Sequence, residues 1–194
     1  MGVRDAASWN DRYLRRGLSR VDTAELPAVF APYADEFPCR GTALDIACGQ
    51  GRAAVWLAQR GIEVWGVDVS PVAVAHATEL ARAEGVAQRC RFSVADLDDG
   101  LPQGPAVDVV VCHLFRDPRL DQEMISRLAA GGLLAVAALS EVDAERGPYR
   151  ARPGELQGAF AALDIVAAGE GGGIAWLLAR RGQAGQVLVS GRGG

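Results

Sequence analysis

Three aspartates close three short apolar runs in this chain, and they carry its chemistry. Asp45 lies in Ala43-Leu44-Asp45-Ile46-Ala47, which leads into the turn Cys48-Gly49-Gln50-Gly51-Arg52. Asp68 ends Glu63-Val64-Trp65-Gly66-Val67-Asp68, and Asp96 follows Arg91-Phe92-Ser93-Val94-Ala95. Gly49 and Gly51 have no Cβ, so the turn is expected to let backbone come close to a ligand. Acids at the ends of successive strands around such a turn describe a pocket for an adenosyl ligand that carries positive charge and no phosphate.

The turn also fits the GxGxxA form of a nicotinamide dinucleotide site, from Gly49 to Ala54. Asp68 does not separate the two readings, because an acid after the second strand binds ribose hydroxyls in either case. Asp45 does separate them. A dinucleotide places a pyrophosphate over the glycine turn. A carboxylate there repels it by about one to a few kcal/mol at roughly 4–6 Å. S-adenosylmethionine (SAM) reverses the sign, since it offers a sulfonium and an ammonium. On this reading Asp45 faces the methionyl end, Asp68 and the neighbouring Val69 hold the ribose, and Asp96 with the Leu97 backbone addresses the adenine. Ala47, Cys48, Gly49, Gly51 and Arg52 form the binding turn.

These residues need a scaffold that brings strand ends together. From residue 43 the pattern alternates: strand 43–47, helix 51–60, strand 62–68, helix 71–84, strand 90–95 and strand 107–112. A helix from Asp117-Pro118 to Gly131-Gly132 follows, then strand 133–139, helix 153–162 and a hairpin of strands 163–168 and 174–180. Ser70-Pro71 and Asp117-Pro118 are helix starts, with an N-cap followed by proline at the first helical position. Alternation of this kind predicts an α/β fold, a Rossmann-like, mostly parallel sheet with helices on both faces. Ligands then bind outside the carboxyl ends of the strands, where strand order reverses. Residues 1–181 are read as one domain. Within it, 1–40 is a helical N-terminal cap broken by prolines and 41–181 is the core. Residues 182–194 form a glycine-rich tail.

Composition narrows the function classes. The chain has 194 residues and a formal net charge of −4, which predicts no general affinity for nucleic acid. All 20 basic residues are arginine. The absence of lysine excludes Schiff-base chemistry through that side chain. No run is long and apolar enough for a membrane span, and the first residues lack a signal-peptide pattern, so a cytoplasmic location is expected. Cys39, Cys48, Cys90 and Cys112 form no CxxC pair, and no metal site is predicted.

The set of motifs resembles the class I SAM-dependent methyltransferases over about residues 40–181. Asp45-Ile46-Ala47-Cys48-Gly49-Gln50-Gly51-Arg52 is similar to their first motif, with Ala47 where many members carry glycine. Val67-Asp68-Val69-Ser70 and Val94-Ala95-Asp96-Leu97 resemble the second and third. Leu128-Ala129-Ala130-Gly131-Gly132-Leu133-Leu134 resembles the family's helix-to-strand turn, with Ala130 in the usual place of proline. The resemblance implies a seven-stranded sheet whose last strand is antiparallel, which suits the 163–180 hairpin. Asp11-Arg12-Tyr13, Leu18-Ser19-Arg20 and Pro153-Gly154-Glu155-Leu156 are similar to the tellurite-resistance and thiopurine methyltransferase branch. That branch methylates small, soft nucleophiles.

Further residues border the expected pocket. Trp9 and Tyr13 are four apart, share one helical face and could cover a cation; plain packing of the segment onto the domain is the alternative. Arg20 could reach a ligand carboxylate. His113, after the fourth strand, could accept a proton from an acceptor, or could simply close the cofactor site with Leu114. Cys48 reads as a small buried hydrophobe and His76 as a boundary residue of its helix. Arg116, Arg119, Arg146, Arg150 and Arg152 cluster after strands four and five. Guanidinium forks suit carboxylates and oxyanions, so Arg116 and Arg150 are expected at an anionic acceptor. The expected activity is methyl transfer from SAM to a small acceptor such as a chalcogen oxyanion, thiol, carboxylate or hydroxyl. A nicotinamide-dependent oxidoreductase and a SAM-binding regulatory protein without catalysis are the competing readings.

Overall fold

In the computed structural model the described residues are 9–14, 23–147 and 149–183. Arg20, with Leu18 and Ser19, and the tail from residue 184 lie outside them. Residues 9–14 form the helical segment α1, and a kinked 3-10 stretch covers Ala28–Glu36. The alternating part runs β1 (Thr42–Ile46), α2 (Arg52–Gln59), β2 (Glu63–Asp68), α3 (Pro71–Ala83), β3 (Cys90–Val94) and β4 (Val107–His113). It continues through α4 (Asp121–Arg127), β5 (Leu128–Ser140), β6 (Arg150–Ala151), α5 (Glu155–Ala159), β7 (Asp164–Gly171) and β8 (Ile174–Arg180).

The strands lie in the order β3-β2-β1-β4-β5-β8-β7, with the two-residue β6 beside β5. Neighbours from β3 to β5 are parallel, and β8 runs antiparallel to both β5 and β7. The sheet is Rossmann-like and mostly parallel, as the alternation implies. The eighth strand, β6, was not legible in the pattern. Strand order reverses between β1 and β4, and a crevice opens above their carboxyl ends.

Both faces are buried. Ala43, Val64, Val109, Val111, Leu133, Ala135 and Ala137 pack against α2 and the Ala28–Glu36 segment. Leu44, Ile46, Val67, Val110, Cys112, Leu134 and Val136 pack on the other side with Leu120, Met124 and Leu156. Side chains along a strand alternate in direction. Asp45, Asp68 and His113 therefore share the first face, the one that carries the glycine turn.

Local chemistry explains the boundaries. Ser70 caps α3 by accepting a hydrogen bond from the Ala73 N–H at 3.1 Å, and Pro71 occupies the first turn. The helix expected from Asp117 to Gly132 is a short 3-10 turn, Pro118–Leu120, followed by α4. It ends at Arg127 because Leu128 is extended and pairs with Val107. Gly131, at φ +76°, absorbs the irregularity before Leu133 regains register with Val109. The helix expected over 153–162 keeps only Glu155–Ala159: Gly154 starts it in the left-handed region and Gly158 weakens its interior.

Candidate functional site

A cavity of about 540 Å³ opens at the switch point. Asp45, Ala47, Cys48, Gly49, Gln50 and Arg52 supply its floor, Asp68 and His113 its walls, and Trp9, Arg12 and Tyr13 its cover. The turn is held by backbone bonds, Cys48 N–H to Val67 O at 2.9 Å and Gly51 N–H to Cys48 O at 2.9 Å. Ala47 carries a φ of +53° where glycine would be unstrained. For an L-residue this region costs roughly 1–2 kcal/mol.

Gly49 and Gly51 serve different ends. A Cβ on Gly49 would stand 3.0 Å from the Tyr13 hydroxyl, so its bareness admits the cover. A Cβ on Gly51 would fall 2.6 Å from the Ala77 Cβ and 3.2 Å from the Phe92 ring. Gly51 thus has a packing role beside the one expected of it at the turn. It lets α3 approach.

Asp45 is 2% exposed and Asp68 is 5% exposed. Asp68 is well partnered: one oxygen accepts from the Gly49 N–H at 2.9 Å, the other from the Ser70 N–H at 2.9 Å. Burial nevertheless raises its carboxyl above the ordinary value, with these backbone donors opposing. Asp45 sits between Gly66 of β2 and Val111 of β4, neither of which offers a side-chain donor. Its Oδ2 has no hydrogen-bond partner among the described residues. Burial, and then the Asp68 charge, push it up to about 7. A buried carboxyl oxygen without a donor is costly. It fits a cavity meant to receive a cation or a donor from a ligand.

Burial, and then the Arg52 charge, hold His113 below the usual imidazole value, which favours its neutral form. Burial and the two aspartates push the Cys48 thiol well up, which leaves it an inert hydrophobe. Arg52 lines the cavity, but its guanidinium is tied to Glu25 and to the Thr23 carbonyl. Gln50 meets His76 Nδ1 at 3.1 Å, tying the turn to α3. The cover is fixed by Asn10, which takes a short hydrogen bond from the Ser70 hydroxyl, and by Trp9 packed on Tyr13 at 5.9 Å between ring centroids.

Asp96 is not gathered with the other two acids in this cavity. It caps the 3-10 turn Leu97–Asp99, accepting from the Asp98 N–H at 3.0 Å. Leu97 lines a second cavity, of about 880 Å³, with Tyr149, Arg150 and Arg152. Val69 is buried after β2. Phe115 lines both cavities.

The arginine cluster is mostly spent on the protein itself. Arg116 grips Asp121 with two nitrogens at 2.5 and 2.9 Å and donates to Glu155 at 2.8 Å. Its side chain is 4% exposed. It is a buried strut joining the 116–121 loop to α5, its charge answered by two carboxylates, and it also lines the larger cavity. Arg119 pairs with Asp117 and Asp98. Arg150 donates to the Ser140 carbonyl at 2.7 Å and still lines the larger cavity.

Sequence reading missed Phe115, and Glu25 to Ala28 as cavity residues. None of these sits in a recognisable spacing. Leu114, expected beside His113, lines the cavity with a φ of +58°.

The comparisons with known proteins agree with this geometry. Residues 43–132 match a family model described as a methyltransferase domain. Methyltransferase GfsG of Streptomyces halstedii is 34% identical over 101 residues, covering 48% of this chain and 36% of that protein. Ribosomal RNA small subunit methyltransferase C of Alcanivorax borkumensis is 35% identical over 111 residues, covering 53% of this chain and 33% of that one. The chain thus spans about a third of the length of these curated relatives. Among solved structures, TehB from Haemophilus influenzae superposes with a TM-score of 0.72 at 20% identity, covering 89% of this chain and 67% of TehB. Residues 43–132 are therefore similar to a methyltransferase domain, and the fold is the one that TehB has. No helix among the described residues is long and apolar enough to cross a membrane.

Proposed function

We propose that the chain transfers a methyl group from SAM to a small acceptor. The observation that carries this reading is the buried Asp45 carboxyl, one oxygen unpartnered, at the wall of a cavity closed by a glycine turn. Asp45 and Asp68 would hold the donor, Asp45 through charge and Asp68 through hydroxyl groups. SAM supplies an activated methyl group, so the protein has only to orient the acceptor and exclude water. Alignment alone contributes up to roughly 7–11 kcal/mol in favourable systems. Trp9 and Tyr13 cover the cavity against solvent, and their faces suit a cation. Neutral His113 can accept a proton where the acceptor is a hydroxyl or an amine, while a thiolate or chalcogen oxyanion needs no base.

The larger cavity beyond Phe115 is the acceptor side of this reading, with Tyr149 and Arg150 at its wall. Because Arg116 and Arg119 are neutralised by carboxylates, an acceptor meets Arg150 and Arg152 there and no four-arginine field. The likeness to TehB supports the fold and leaves the branch a proposal. The reading is tested by titrating SAM and NAD into the protein, then screening labelled SAM against selenite, tellurite, thiols and small carboxylates. SAM binding and label transfer to one class are expected. Binding of NAD with no binding of SAM overturns the reading.

A further inference from the structure

Asp45 and Asp68 lie on one face of adjacent strands, and both are almost fully buried. Two buried carboxylates side by side cannot both ionise cheaply. The partners decide which one keeps its charge. Asp68 accepts two backbone N–H bonds, whereas Asp45 Oδ2 accepts none. The remaining groups around Asp45 do not supply a countercharge. From β4, Cys112 is a buried thiol, and burial and the Arg52 charge bias His113 toward its neutral form. From the glycine turn, Cys48 is a protonated thiol. From α2, Arg52 is committed to Glu25 of the 23–28 segment, and only the Ala54 backbone N–H favours ionised Asp45. From α1, Arg12 stacks on Trp9 at 4.7 Å, beside Tyr13.

We propose that Asp45 keeps a proton while the cavity is empty and surrenders it to solvent when a cationic donor binds, so that donor binding and proton release are one event. The carboxyl O–H bond breaks, the proton passes to buffer, and the carboxylate left behind neutralises the ligand's positive charge. This rests on the donor assignment above and changes its logic. The empty cavity does not repel a phosphate by standing charge. A cation is selected because only a cation is stabilised by ionising Asp45. Affinity for a cation then rises with pH, and affinity for a diphosphate falls.

The test is calorimetric titration of SAM into the full chain at pH 6.5, in phosphate and in imidazole, which differ in ionisation enthalpy. At this pH the ligand's own ammonium stays charged, its ordinary value being about 7.7–8.0. With Asp45 at about 7, release of roughly 0.8 proton per SAM is expected. By the same linkage, affinity should rise about eightfold between pH 6.0 and 7.5. Asp45→Asn should abolish the release and flatten the slope. No release, or undiminished release from Asp45→Asn, overturns the inference. Should that variant not fold, a flat wild-type affinity profile overturns it equally. Failure of SAM to bind at all overturns the donor assignment instead.

Discussion

Two cavities meet at Phe115, and their walls are built on opposite principles. The larger holds many charges, nearly all answered within the protein: Arg116 by Asp121 and Glu155, Arg119 by Asp117 and Asp98. The smaller holds fewer ionisable groups, and one of them, Asp45, is left unanswered at an oxygen. A satisfied network rigidifies a wall, while an unsatisfied buried group waits for something from outside. The deficit of partners points to the ligand.

The contrast can be broken first at Arg116. Arg116→Ala strands Asp121 and Glu155 and should destabilise the fold by about 3–5 kcal/mol, as loss of one partner of a buried pair does. Chemical denaturation should show the loss, and SAM affinity measured under native conditions should stay within about twofold.

Asp45→Asn should do the reverse. The folded carboxyl is raised from 3.8 to about 7, so between these values the unfolded chain is ionised and the folded one is not. Stability contributed by this group falls as pH rises from about 4 to 7 and is flat above, and the total is up to about 4 kcal/mol. Asp45→Asn removes that penalty, so the ligand-free variant should melt higher than wild type at pH 8 and lose this slope. Its SAM affinity should drop by roughly 10–100-fold at pH 8, the worth of a charged hydrogen bond.

Gly51→Ala sharpens the distinction between turn and ligand. The added methyl meets the Ala77 Cβ at 2.6 Å in a left-handed conformation, so a stability loss of about 2–3 kcal/mol is expected in a thermal melt. The smallest effect is at the cover. Tyr13→Ala should weaken SAM by roughly 1 kcal/mol if its face meets a cation. Tyr13→Phe should retain the affinity.

Much of the fold was legible because its signals are local. Ser70-Pro71 announced α3 through a cap and a preset φ, and both are present. The apolar run at 107–112 marked a strand buried on both faces. The failures are non-local. Leu128 leaves its helix to pair with Val107, and Gly51 is bare for the sake of Ala77, both contacts across distant sequence. The meeting of Asp45 and Asp68 at one cavity was legible from their place late in adjacent strands. The fates of Arg116 and Asp96 were not, because a charge's role depends on which partner reaches it first in three dimensions.

Tyr13 and Trp9 close the mouth of the smaller cavity, and Asn10 latches that segment to Ser70. A bound molecule under such a cover is expected to leave more readily when the latch releases. Its dissociation rate is then a property of residues 9–14 as much as of the acids beneath. Loosening the Asn10–Ser70 latch should shorten residence time more than it changes equilibrium occupancy.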